Sequence, residues 1–75
     1  MTDAPTHLNG YPVVQATRTA RGGHVILVDR GPDSPHRWVT AFLPMGMTTS
    51  WHWGHYLIDE ADARADYAER CRRGF

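Results

Sequence analysis

Seventy-five residues suffice for one small domain, and a domain of this length buries only about 60–65% of the surface its unfolded chain exposes. Eight basic and eight acidic residues balance to a net charge of zero, so no global field draws the chain to nucleic acid or an anionic membrane, and the lone Cys71 excludes an internal disulfide. No apolar run reaches the length of a membrane span and the opening MTDAPTHLNG lacks the basic-then-apolar order of a signal peptide, so the expected location is the cytoplasm, with the cysteine reduced.

In chain order, residues 1–9 carry Pro, Asn, Thr and Asp with little apolar content and predict a flexible arm ahead of a single domain over 10–75. YPVVQATRT alternates β-branched residues and predicts a first strand, with Pro12 tolerated near its start on a sheet edge. ARGG (20–23) supplies a tight reversal into HVILVD, a second strand. RGPDSPH (30–36) continues no regular element, RWVTAFLP reads as a third strand broken at Pro44, and WHWGHYLI (51–58) reads as a fourth in which Gly54 marks a bulge or a close approach. Asp59 then caps a helix with an acidic first turn and a basic last turn. At 100° per residue Leu57, Ala61, Ala65, Ala68, Cys71 and Phe75 form its apolar face, with Tyr67 at the edge, opposite Asp62, Asp66, Glu69, Arg70 and Arg73. The expected fold is α+β: a small four-stranded antiparallel meander with one C-terminal helix packed on one face.

VILV (25–28) and WVTAFL (38–43) are apolar in both alternating sets, as strands are when both faces are covered. One helix covers one face. The arm is polar, so a second copy (a homodimer) or a host protein is the expected cover for the other.

Chemical motifs are sparse. There is no P-loop, G-x-G-x-x-G, H-E-x-x-H or C-x-x-C, so no cofactor is expected and the reading is non-enzymatic. Cys71 lies late in the helix, where the dipole disfavours a thiolate. His52 and His55 have a metal-like spacing, but three residues apart on a regular strand they point to opposite faces; a metal site of His52, His55 and Cys71 stands as a second alternative that needs a bulge at Gly54. A first alternative is nucleic-acid binding by Arg70, Arg72 and Arg73 with Trp51 or Trp53. Most of that basic charge is accounted for by the helix itself, because Glu60/Arg64, Asp66/Arg70 and Glu69/Arg73 are acid-first i,i+4 pairs and the arginines complement the dipole. Arg64 lies near the apolar side of the wheel, where it either reaches back to Glu60 or stacks on Trp51 or Trp53.

The aromatic residues carry the leading expectation. Trp51 and Trp53 alternate on one face with His55 and Leu57, while Trp38 shares a face with Thr40 and Phe42. Three Trp and three Tyr exceed what so thin a core holds, and surplus Trp and Tyr serve as interface anchors. The contact residues are therefore expected among Trp38, Trp51, Trp53, His55, Tyr56 and Arg64.

All eight basic residues are arginine, a bias of GC-rich genomes. Residues 38–75, through Trp38, the Trp53-Gly54-His55-Tyr56 strand, Tyr67 and Arg70, resemble the small orphan accessory proteins of phages of GC-rich, actinobacterial-type hosts. The resemblance implies a protein that binds and modulates a host protein in the host cytoplasm. The amino-terminal half carries no such resemblance.

Overall fold

A computed structural model describes residues 4–46 and 50–73. The β-branched runs form an antiparallel meander, β1 (His7–Leu8), β2 (Tyr11–Arg18), β3 (His24–Asp29), β4 (Trp38–Leu43) and β5 (His52–Leu57), followed by α1 (Glu60–Arg73), and the sheet order is β1-β2-β3-β4-β5. The α+β class, the meander and the C-terminal helix agree with expectation; the sheet has five strands where four were expected. Among the described residues no helix is long and apolar enough to cross a membrane.

The extra strand comes from the arm. Asn9 and Gly10 have φ of 53° and 83°, the left-handed pair that a type I′ hairpin turn requires. They set Leu8 opposite Tyr11, and the Val13 amide donates to the Thr6 carbonyl at 2.8 Å. Residues 4–8, expected to drape loosely, thus fold back on β2 and bury Leu8 in the core; residues 1–3 lie outside the described residues.

The β2–β3 reversal falls where ARGG placed it, closed by the Thr19 amide donating to the Gly23 carbonyl at 2.8 Å. Gly23 has no room for a side chain, since a Cβ there would lie 2.6 Å from the Leu43 carbonyl oxygen and 2.9 Å from Phe42 Cζ. At the opposite end Asp29 and Arg37 close the 30–36 loop through two hydrogen bonds of 2.8 and 3.0 Å. The Arg37 hydrogen bond holds the Asp29 carboxyl below the usual carboxylate range, helped by the Gly31 amide and opposed by burial.

The sheet has a core on each face. Val25, Leu27, Trp38, Ala63 and Tyr67 pack between sheet and helix. On the other face Leu8, Ile26, Val28, Val39, Ala41 and Leu43 pack with Tyr11, Val13 and Trp51. The chain covers this second face itself, which corrects the expectation of a second copy or host protein as its cover. Two features close it. Leu8 folds in from β1, and the Arg30 guanidinium sits 5.8 Å from the Tyr11 ring and 5.6 Å from the Tyr56 ring. Tyr11 is on β2 and Tyr56 on β5, with β3 and β4 between them in the sheet, so one cation reaching both rings requires the sheet to coil.

The helix caps as expected, with Asp59 Oδ1 accepting from the Ala61 amide at 3.2 Å. Its buried face differs. Ala63, Tyr67 and Arg70 point inward with Asp66 and Cys71 at the margin, whereas Ala61, Ala65 and Ala68 face solvent; Phe75 lies outside the described residues. Alanine tolerates either side of a helix. Tyr67 and Arg70 face inward because the sheet offers their polar ends partners: Thr17 Oγ1 lies 2.5 Å from the Tyr67 hydroxyl, and the Trp53 carbonyl accepts from Arg70. Burial raises the Tyr67 phenol above its ordinary value, against the Thr17 hydrogen bond.

Candidate functional site

The site grows from a break in strand pairing. β5 pairs with β4 as Trp38↔Leu57, Val39↔Tyr56 and Thr40↔His55, yet Phe42 faces His52, so one extra residue is accommodated on β5 opposite Ala41. That residue is a bulge at Trp53 and Gly54. Trp53, and not the glycine beside it, takes the left-handed backbone, with φ of 54°. A bulky residue at positive φ is strained.

Two contacts hold it there, and the second is itself braced. The Trp53 ring stacks on Phe42 at 5.6 Å between centroids and 22° between planes. Arg70, only 4% exposed, donates a guanidinium hydrogen bond to the Trp53 carbonyl. Arg70 is in turn oriented by Asp66, its Nε lying 3.4 Å from Oδ2. The same oxygen accepts from the Thr40 hydroxyl and from His55 Nδ1 at 2.9 Å. Burial raises the Asp66 pKa, but the hydrogen bonds from Thr40 and His55 and the charges of His55 and Arg70 outweigh it, leaving the carboxyl below the usual range. An ionised carboxylate only accepts, so His55 Nδ1 carries the proton in this pair and Nε2 is the nitrogen left for other partners.

The result is an indole presented to solvent on a braced support. Trp53 is 67% exposed and Met45 72% exposed. Met45 Sδ lies against Gly22 and the Phe42 ring against Gly23, so Met45 and the Phe42–Trp53 stack make a ledge beside the hairpin glycines at one end of the sheet.

The bulge redistributes the residues expected to act together. It shifts the strand phase by one, so His52 shares the helix-side face with His55, each opposite a β4 residue of that face; the split expected from an unbroken strand is corrected. It also separates the tryptophans, since Trp53 stacks on Phe42 on the helix side while Trp51 packs against the other core and donates from Nε1 to the Tyr56 hydroxyl at 3.2 Å. Trp38 is buried and offers no contact surface. Arg64 bonds Glu60 at 2.8 Å and Gln15 at 3.3 Å, the plainer of its two expected arrangements.

Arg70 is committed to Asp66 and Trp53, and both Arg72 and Arg73 pair with Glu69, Arg73 at 3.3 Å. Cys71 packs at the edge of the helix-side core, and among the described residues no three His, Cys, Asp or Glu side chains come together as metal ligands. Thr40 is fully buried beneath Asp66, so its hydroxyl is a support for the carboxylate and not an accessible nucleophile.

Three contributors were missed by sequence reasoning: Met45, Phe42 as the partner of Trp53, and the Asp66–Arg70 brace. The acid-first i,i+4 spacing did signal the brace, but not that it faces inward. No protein-family model, curated protein or solved structure matches the chain.

Proposed function

We propose that this protein is a non-catalytic binding module of the phage-accessory type, acting in the host cytoplasm by docking a host protein on the ledge of Met45, Phe42 and Trp53. One observation carries the reading. A large indole is held in solvent at a strained backbone position by a buried arginine and a stacked phenylalanine. Backbone strain that the surroundings overdetermine clusters at functional sites, and an exposed, rigid Trp is the commonest kind of interface anchor. Nothing in the fold of the domain needs that ring outside, because the sheet closes both its cores without it.

The test is affinity capture from host lysate with the wild type beside Trp53→Ala. A host protein retained by the wild type and released by the variant supports the reading; the same proteins on both columns would overturn it.

A further inference from the structure

The bulge that presents Trp53 also brings two histidines into step. On β4, Thr40 and Phe42 are two residues apart and so point to one face of the sheet, with His55 opposite the first and His52 opposite the second. Three residues apart in sequence, the histidines are thus two register steps apart in the sheet, with their backbones about 7 Å from one another at the rise of a strand. Both side chains are exposed. Two imidazoles rooted at this spacing on one face can close on a single metal ion at about 2.0–2.1 Å from each ligating nitrogen.

His55 is already oriented as a ligand. Its Nδ1–H donates to Asp66 Oδ2 at 2.9 Å, which leaves Nε2 with its lone pair on a side chain that is 57% exposed. The carboxylate is fixed in turn by the hydroxyl of the fully buried Thr40 and by Arg70 Nε at 3.4 Å. An oriented carboxylate on the second nitrogen is the usual support of a metal-binding histidine, because it sets the tautomer and the ring plane and raises the basicity of the nitrogen that ligates. Imidazole nitrogens select zinc, copper and nickel over magnesium and calcium, which take oxygen ligands.

We propose that His52 and His55 together bind a borderline divalent transition ion of the zinc type, with Asp66 as the residue that positions His55. The proposal does not rest on the docking of a partner at Trp53. It also differs from the three-ligand site expected from the sequence, since Cys71 packs at the margin of the helix-side core. Among the described residues no third His, Cys, Asp or Glu side chain completes the set, so the bound ion keeps open positions toward solvent, unlike the closed shell of a structural zinc centre.

The test uses the full chain without an affinity tag, isotope-labelled for NMR, and zinc chloride alone as probe. Before zinc is added, spectra of the imidazole nitrogens should show His55 as the Nδ1–H tautomer. On titration the ring resonances of His52 and His55 should move together, while those of His7, His24 and His36 stay in place. Calorimetry should give one ion per chain, with affinity lower by roughly tenfold or more in His52→Ala and in His55→Ala and by about tenfold in Asp66→Asn; Cys71→Ser should bind as the wild type does. Circular dichroism checks each fold, and His52→Ala, a change at an exposed strand position, keeps the test decisive if Asp66→Asn does not fold. Rings of His52 and His55 that do not move in millimolar zinc, equal movement of the other three histidines, loss of affinity in only one of the two histidine variants, or loss in Cys71→Ser would each overturn the proposal. Unchanged affinity in a folded Asp66→Asn, with both histidine effects intact, would refute the positioning role and leave the two-histidine site standing.

Discussion

Trp53 offers a sharp test because glycine and alanine reverse their usual order there. In an ordinary strand glycine is less stable than alanine by about 0.5–1 kcal/mol, the cost of its extra freedom in the unfolded chain. At φ of 54° a side-chain-bearing residue is disfavoured by roughly 1–2 kcal/mol, which glycine escapes. The difference leaves Trp53→Gly more stable than Trp53→Ala by about 0.5–1 kcal/mol. Both variants lose the stack on Phe42, worth about 0.5–1.5 kcal/mol, so Trp53→Gly should melt close to the wild type. Trp53→Ala should melt several degrees lower, at about 4–8 °C per kcal/mol for a domain of this size. Urea unfolding followed by far-ultraviolet circular dichroism reads the order without relying on the deleted fluorophore. An alanine variant as stable as the glycine variant, at equal denaturant slope, would refute the claim that the bulge stores backbone strain. Both variants should lose partner binding alike, which separates the role of the ring from that of the backbone.

Leu8→Ala should lower stability by roughly 2–4 kcal/mol, because Leu8 is 1% exposed in the core away from the helix; a thermal melt within a degree of the wild type would mean that the arm does not pack. Gly23→Ala places a methyl against the Leu43 carbonyl and the Phe42 ring, with an expected cost on the order of 1–3 kcal/mol in chemical denaturation and a shifted Trp53 indole resonance. For Asp66→Asn the sign follows from a folded-state pKa held below the ordinary value. Ionised Asp66 therefore contributes stability that is fully present above the unfolded aspartate pKa of about 4 and is lost as pH falls through the lower, folded value. The wild type should thus exceed Asp66→Asn in stability at neutral pH, and the gap should narrow in acid; a gap independent of pH would show that the carboxylate charge is not what braces Arg70.

The strands, their turns and the helix were legible because each is specified by near neighbours. β-branched runs mark β2 to β4, Gly22 and Gly23 mark the hairpin, and Asp59 with the acid-first pairs marks α1. The Asn9–Gly10 dipeptide is as strong a hairpin signal as any in the chain. Set among polar residues it reads as part of the arm, and with it are lost the fifth strand and the cover for the second sheet face. The candidate site was legible in composition only: an aromatic strand with a glycine, and a surplus of Trp.

What the sequence determined by itself is the inventory of elements, since backbone propensity, capping and turn chemistry act over four or five residues. The tertiary structure decided the faces. β5 pairs with β4 in registers that differ by one residue between Thr40 and Phe42, and only that long-range pairing places the bulge on Trp53, separates it from Trp51 and joins His52 to the face of His55. The inward side of α1 was likewise settled by partners distant in the chain, Thr17 for Tyr67, Thr40 and His55 for Asp66, and the Trp53 carbonyl for Arg70. A helix buries polar residues where the sheet can satisfy them, and an alanine face makes no demand strong enough to prevent it.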